Sequence, residues 1–137
     1  TALLAASARL GAPIGHDFCV INLSDNLKSW DILKSRVIAA AKADFVIAFY
    51  NPRSKSRKNQ LSEIYDVLRK NCKNDRIVIY ANSVSTESEA IFETTLSEAD
   101  ASSVSMKTLV IIGSSSTKKI RNTGYIYTPR YSGVEKN

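Results

Sequence analysis

Apolar positions follow two different periods along this chain, and the longest unbroken apolar run covers residues 45–50. This run is rich in aromatic and β-branched side chains, which is typical of a strand that is covered on both faces. Asn51 and Pro52 follow, and the proline ends the strand because it has no N–H for the next ladder bond. Residues 18–23 and 76–81 have the same β character, so the pattern predicts three strands.

Helical periodicity separates these three segments. Apolar residues, of which Trp30 is the first, recur at helical spacing over residues 30–42. This spacing predicts an amphipathic helix that packs on the sheet. A second apolar stripe has the spacing i, i+3, i+4, i+7, i+11 and comprises Leu61, Ile64, Tyr65, Leu68 and Cys72. Residues 2–10, rich in alanine and leucine, predict a further helix that ends at Gly11. Strands that alternate with helices imply right-handed crossovers and a locally parallel sheet.

The second half of the chain has a different pattern. Residues 90–96 and 108–113 are apolar or β-prone, but the polar segment 97–107 between them is too short for a crossover helix. A shorter candidate strand covers residues 125–128. We therefore expect an α/β fold in one domain over residues 1–137, with a mixed, partly parallel five-stranded sheet and helices packed on it.

Composition narrows the functional classes. The chain has 137 residues, 44% of them hydrophobic and 23% charged, which is ordinary for one globular domain. No stretch approaches the roughly 20 apolar residues that span a bilayer, so we expect a cytoplasmic protein without a membrane partner. Cys19 and Cys72 lack metal-ligand spacing and His16 is the only histidine, which predicts neither a metal site nor a disulfide.

The net charge of +6 favours an anionic partner. Basic residues crowd into residues 53–58, directly after the predicted strand, and open α/β sheets bind ligands at the carboxyl ends of strands. Two alternatives stay open: a solvated basic loop, and a basic module that binds nucleic acid or an acidic partner. Aromatic residues are not interleaved with this basic run, which disfavours single-stranded nucleic acid. Residues 113–117 suggest a phosphate loop but lack its spacing.

Four segments, read in order, resemble a known family. They are GAPIGHDFCVINLSD at 11–25, ADFVIAFYNPRSKSR at 43–57, MKTLVIIGSSST at 106–117 and TPR at 128–130. The series resembles the carboxyl-terminal part of the tetrapyrrole methylases, especially the branch that methylates carbon 17 of a precorrin and contracts the ring in cobalamin biosynthesis. The resemblance implies a two-domain homodimeric enzyme whose amino-terminal domain, with its glycine-rich loop, is missing here. The chain alone would then be inactive.

The resemblance also implies a cofactor and a substrate. S-adenosylmethionine would lie folded between the two domains, and the positions that match its surroundings are Thr1, Ala2, Tyr50, Asn51, Thr94 and Thr108. The substrate would be a tetrapyrrole rather than nucleic acid, and its acetate and propionate groups suit a clamp formed by Arg53, Ser54 and Arg57, because guanidinium pairs bidentately with carboxylate.

His16 and Asp17 are the candidates for catalysis. Ring contraction requires proton movement, and imidazole is the side chain best suited to proton transfer near neutral pH. The alternatives are that His16 ties down the start of a strand and that Asp17 caps a turn.

Overall fold

The computed structural model describes residues 11–24, 28–52, 59–82, 87, 90–102, 104–105, 107–120 and 123–129. The helix predicted at residues 2–10 lies outside these ranges. The same holds for five of the predicted site residues, namely Thr1, Ala2, Arg53, Ser54 and Arg57.

Eight strands and two helices form within the described part of the chain. The strands are β1 (Gly11–Ala12), β2 (Phe18–Asn22), β3 (Val46–Tyr50), β4 (Ile77–Asn82), β5 (Ala90–Thr95), β6 (Thr108–Ile112), β7 (Lys118–Lys119) and β8 (Ile126–Tyr127). The helices are α1 (Trp30–Lys42) and α2 (Gln60–Asn71). Every strand predicted from the apolar pattern is present, with ends that differ by one residue or less. The two-residue strands β1 and β7 were not predicted, because so short a segment has no measurable period.

Five strands form the main sheet in the order β2-β3-β6-β4-β5. β2 and β3 pair in parallel, whereas β6 is antiparallel to both β3 and β4. β2, β3 and β4 therefore run in the same direction, but β6 lies between β3 and β4. This confirms the mixed five-stranded sheet, and it restricts direct parallel pairing to β2 and β3.

A second, smaller sheet has the order β1-β8-β7. Gly11 in β1 has a φ of 116°, and a Cβ at this position would lie 2.9 Å from the carbonyl oxygen of Ile126. Glycine is therefore required here both for its backbone conformation and for the close approach of β1 to β8.

Both helices cover one face of the main sheet. Ser29 caps the amino terminus of α1, because its Oγ accepts a hydrogen bond from the Ile32 N–H at 3.3 Å, and the helix buries Leu33 and Val37. α2 buries the predicted apolar stripe as far as Leu68. The opposite face of the sheet has its own apolar cluster, which includes Val46, Ala48, Ile79, Ala81, Leu109, Ile111 and Ile126. β3 is thus covered on both faces, as its unbroken apolar run predicts.

A pair of buried tyrosines connects α2 to the sheet. Tyr65 donates a hydrogen bond to the hydroxyl of Tyr80 at 2.8 Å, and Tyr80 donates to the carbonyl oxygen of Asp100 at 2.9 Å. Burial raises the pKa of both hydroxyls above the usual value for tyrosine. Among the described helices, neither is long and apolar enough to cross a membrane.

Candidate functional site: the carboxyl edge of the sheet

Three asparagines lie where the three strands of common direction end. β2 ends at Asn22, β4 ends at Asn82, and Asn51 directly follows β3. Because the strands run the same way, these residues lie at one edge of the sheet, together with Thr108, the first residue of the antiparallel β6. We call these four residues the carboxyl edge. Open α/β sheets commonly bind ligands at this position.

Strand register places the four residues in a row. Asn22 pairs with Tyr50, the neighbour of Asn51, and Asn82 pairs with Thr108. Phe49 of β3 pairs with Val110 of β6, so continuing this register by two residues puts Asn51 opposite Thr108. Thr108 therefore lies between Asn51 and Asn82 along the edge.

Asn22 holds Asn51 in a conformation that few residues adopt. Asn51 has a φ of 52°, in the left-handed region where asparagine is tolerated better than most residues. Its Nδ2 donates a hydrogen bond to Asn22 Oδ1 at 3.0 Å, and the same oxygen accepts from the Ser24 N–H at 2.9 Å. Among the described residues, Asn51 Oδ1 and Asn22 Nδ2 have no hydrogen-bond partner. They are left as an acceptor and a donor at the exposed edge.

Thr108 and Asn82 form the second linked pair. Thr108 is only 3% exposed, and its hydroxyl donates to Asn82 Oδ1 while it accepts from the Ser105 N–H at 2.8 Å. The hydroxyl of Thr108 therefore already donates one hydrogen bond and accepts another within the protein.

The opposite end of the sheet has a different composition. His16 and Asp17 precede β2, Asp44 lies two residues before β3, and Ser114 and Ser116 follow β6. We call these five residues the amino edge. They line a cavity of about 210 Å³. β2 alone spans about 13 Å from its first to its last Cα atom. The structure therefore does not bring the predicted catalytic pair His16 and Asp17 together with Tyr50 and Asn51.

Asp44 organises the hydrogen bonds of the amino edge. Its Oδ1 accepts from the Ser115 N–H at 2.8 Å and lies 3.1 Å from Nη2 of Arg76, while its Oδ2 accepts from the Ser115 hydroxyl. The Arg76 side chain is 8% exposed, and its Nη1 donates to the Gly113 carbonyl oxygen at 3.3 Å. Asp44 thereby compensates a buried positive charge.

Residues 113–117 suggest a phosphate loop in the sequence, but three backbone N–H groups of this segment already donate hydrogen bonds within the protein. The N–H of Ser114 donates to Thr117 Oγ1, that of Ser115 to Asp44, and that of Ser116 to Ser114 Oγ. A phosphate would have to displace three internal hydrogen bonds and face the carboxylate of Asp44. This agrees with the missing phosphate-loop spacing.

Thr94 lies apart from the other predicted cofactor residues that the structure describes. It pairs with Val78 near the start of β4, whereas Thr108 pairs with Asn82 at the end of that strand. The cofactor assignments of Tyr50, Asn51, Thr94 and Thr108 remain predictions, and only Thr94 is remote from the carboxyl edge. Within the described part of the chain, no cluster of three potential metal ligands exists, and Cys19 and Cys72 are free thiols.

Comparison with known proteins identifies the family. The model of the tetrapyrrole (corrin/porphyrin) methylases matches residues 1–100. The chain belongs to this family. Membership of a methyltransferase family favours an enzyme over the basic binding module, and it agrees with the resemblance seen in the sequence.

Individual relatives support the same assignment. The chain is 47% identical to the precorrin-3B C(17)-methyltransferase of a Sinorhizobium species over 99% of its own length and 55% of the relative's. It is 42% identical to a probable cobalt-factor III C(17)-methyltransferase of Salmonella typhimurium, covering 95% of this chain and 53% of the relative. The crystal structure of the methyltransferase CobJ superimposes with a TM-score of 0.90 at 46% identity, over 94% of this chain and 53% of that one. The chain thus spans about half the length of these relatives.

Sequence reasoning missed Asn22 and Asn82. A signal was present, since IN, YN and AN end three apolar runs in this chain. Comparing the residues within one position of the end of each predicted strand would have revealed it.

Proposed function

We propose that this chain is the carboxyl-terminal part of an S-adenosylmethionine-dependent methyltransferase of cobalamin biosynthesis. It methylates carbon 17 of precorrin-3B, or of the cobalt-bearing counterpart, and takes part in contraction of the ring. The observation that carries this proposal is the 47% identity, over 99% of the chain, to a relative named for the first of these reactions. The metal-free and cobalt-bearing substrates correspond to the two relatives described above.

The carboxyl edge fits the cofactor chemically. Its polar atoms without a partner among the described residues, Asn51 Oδ1 and the Nδ2 groups of Asn22 and Asn82, are uncharged, which suits the neutral adenine and ribose of S-adenosylmethionine. Tyr50 and Asn51 would hold the cofactor from β3, and Thr108 from β6. The carboxylates of Asp17 and Asp44 lie at the other end of the sheet, away from this group.

The cofactor supplies an electrophilic methyl group on a sulfonium. The part of this chain is to bind, to orient and to exclude water, since an electron-rich ring carbon needs alignment more than covalent assistance. In the proposal, an amino-terminal domain completes the cleft, the enzyme is a cytoplasmic homodimer, and Arg53, Ser54 and Arg57, which follow Pro52 in the sequence, bind the substrate carboxylates. The roughly twofold length of the relatives supports the second domain.

Incubation of the complete gene product with radiolabelled S-adenosylmethionine and either precorrin-3B or its cobalt-bearing counterpart tests the activity. We expect label in a tetrapyrrole whose mass and absorption spectrum show methylation and ring contraction. The 137-residue chain alone should transfer no label, because half of the cofactor cleft is missing. If the complete product binds S-adenosylmethionine but labels neither tetrapyrrole, the assigned substrate is wrong.

We retain His16 as the proposed proton-transfer residue and Asp17 as its orienting neighbour, acting on a part of the substrate that reaches the amino edge. His16→Ala should then slow contraction by about 10²- to 10⁴-fold while S-adenosylmethionine is still consumed, and a methylated but uncontracted tetrapyrrole should accumulate. Asp17→Asn should have a milder effect of the same kind. If His16→Ala contracts the ring at the parent rate, His16 has a structural role.

A further inference from the structure

We infer that Asn82 contacts the bound ligand directly, that its Nδ2 donates a hydrogen bond to an acceptor atom of the cofactor or the tetrapyrrole, and that Thr108 is the residue that positions it. The inference rests on the proposed function. It assigns a role to Asn82, which the sequence analysis did not single out. It also gives the side chain of Thr108 a positioning role in place of direct contact with the cofactor.

The hydrogen bonds around Thr108 fix the orientation of the Asn82 amide. The hydroxyl of Thr108 has one hydrogen, and its oxygen already accepts from the Ser105 N–H at 2.8 Å. The Ser105 hydroxyl lies 3.4 Å away, beyond the usual 2.5 to 3.0 Å range of an O–H···O bond. The hydrogen therefore goes to Asn82, whose bonded atom must be the acceptor Oδ1. The Nδ2 group consequently points away from Thr108.

Among the described residues, none accepts a hydrogen bond from Asn82 Nδ2, and Asn82 is partly exposed at the last position of β4. Thr108 separates it from Asn51 along the carboxyl edge. A side chain whose oxygen is locked by a buried hydroxyl loses little rotational freedom when it binds, which is the property of a preorganised ligand contact.

The chemistry of the donor limits what it recognises. An uncharged N–H pairs with an unprotonated ring nitrogen or with a hydroxyl, carbonyl or carboxylate oxygen. S-adenosylmethionine has such acceptors in its adenine and ribose, and the tetrapyrrole has them in its acetate and propionate groups. Thr108 is buried and both of its hydrogen-bonding functions are used, so its side chain acts through Asn82.

Four variants of the complete gene product separate these roles. Asn82→Asp keeps the oxygen that accepts from Thr108 but replaces the donor with a second acceptor. Thr108→Val removes the positioning hydroxyl at almost the same volume, and Thr108→Ser restores it. The matched control is Asn71→Asp, since Asn71 Nδ2 donates to the Val67 carbonyl oxygen at the end of α2, away from the carboxyl edge.

Affinity is measured by calorimetry with S-adenosylhomocysteine and, separately, with the tetrapyrrole substrate. If the acceptor is on the cofactor, Asn82→Asp should weaken S-adenosylhomocysteine binding by about 10-fold or more, the factor expected when one hydrogen bond is lost. If the acceptor is on the tetrapyrrole, the affinity for the tetrapyrrole should fall instead, and the affinity for S-adenosylhomocysteine should not change. Thr108→Val should weaken the same ligand, whereas Thr108→Ser and Asn71→Asp should match the parent.

The double variant decides whether Thr108 acts through Asn82. We expect Asn82→Asp combined with Thr108→Val to bind no more weakly than Asn82→Asp alone, even if the thermal midpoint falls further because the Ser105 N–H loses its acceptor. Additive losses in affinity would show that Thr108 contacts the ligand itself and would overturn the positioning role. Unchanged affinity of Asn82→Asp for both ligands would overturn the whole inference. Failure of the parent protein to bind either ligand would instead refute the proposed function.

Discussion

At the amino edge of the sheet, the carboxylate of Asp44 accepts hydrogen bonds from Ser115 and pairs with the buried guanidinium of Arg76. At the carboxyl edge, by contrast, the side-chain amide groups of Asn22 and Asn82 each have an N–H donor with no hydrogen-bond partner among the described residues. Both edges are polar, and they lie at opposite ends of the same strands. They differ in whether the protein itself supplies the hydrogen-bond partners.

This difference distinguishes polar groups that stabilise the fold from polar groups that we propose to bind a ligand. A buried charge that loses its partner destabilises the fold, because desolvation of the remaining group is no longer compensated. A side chain with unused donors at an exposed edge is solvated by water and can exchange that water for a ligand. Substitution of Asp44 at the amino edge should therefore lower the free energy of unfolding, while substitutions of the asparagines at the carboxyl edge should mainly lower affinity.

Asp44→Ala gives the largest expected effect. It removes the partner of Arg76 and the acceptor for Ser115, and it places alanine at a φ of 64°. We expect a loss of about 2 to 4 kcal/mol in unfolding free energy, below the full cost of breaking a buried pair because the Asp44 side chain is 38% exposed. Urea denaturation of the purified chain measures it.

The exposed pair of Asp66 and Arg69 is the matched control. Its carboxylate is 70% exposed and the N–O distance is 3.4 Å, so Asp66→Ala should change the unfolding free energy by less than about 1 kcal/mol. Equal losses for Asp44→Ala and Asp66→Ala would mean that the amino edge is no more structural than an ordinary surface pair.

A pH titration sharpens the comparison by adding the buried core as a third region. Burial raises the pKa of Tyr65, so above about pH 10, where tyrosine ionises in the unfolded chain, the unfolded state binds fewer protons than the folded one. The contribution of each buried tyrosine to the free energy of unfolding should therefore be constant below that pH and fall above it, by about 1.4 kcal/mol per pH unit.

Urea denaturation between about pH 8 and pH 11 measures this slope. Tyr65→Phe should make it shallower by the contribution of one tyrosine, although the variant is less stable at neutral pH because the hydrogen bond to Tyr80 is lost. Asp44→Asn should lower the stability without changing the slope. Identical slopes in the parent and in Tyr65→Phe would show that this hydroxyl does not control alkaline stability.

A smaller effect on stability than at Asp44 is expected at Asn51 of the carboxyl edge. Asn51 is exposed, its side chain makes one hydrogen bond to the described residues, and its φ is 52°. Asn51→Ala should cost about 1 kcal/mol, mainly because alanine disfavours the left-handed conformation, and Asn51→Gly should cost less since glycine adopts it freely. Thermal unfolding of both variants provides the measurement. A loss from Asn51→Ala as large as that from Asp44→Ala would remove the distinction between the two edges.

Local patterns were sufficient for the elements of this fold. The unbroken apolar run at 45–50 predicted a strand covered on both faces, and β3 is buried on both. The helical stripe from Leu61 to Cys72 predicted α2, which ends one residue before Cys72, and four motifs pointed to the family. These features depend on residues close in sequence, where burial and backbone geometry impose a period that can be recognised directly.

Only the tertiary structure decided which strand ends meet and which side chains have partners. The position of β6 between β3 and β4 brings Thr108 to Asn82, 26 residues away in the sequence, and the folded sheet puts His16 at the opposite end from Asn51. Asp44 accepts a hydrogen bond from Ser115, which lies 71 residues away in the sequence. Such contacts arise from strand pairing and packing over long loops, and no local period encodes them. The sequence alone therefore determined the elements and the family, whereas the fold determined which polar groups remain for a ligand.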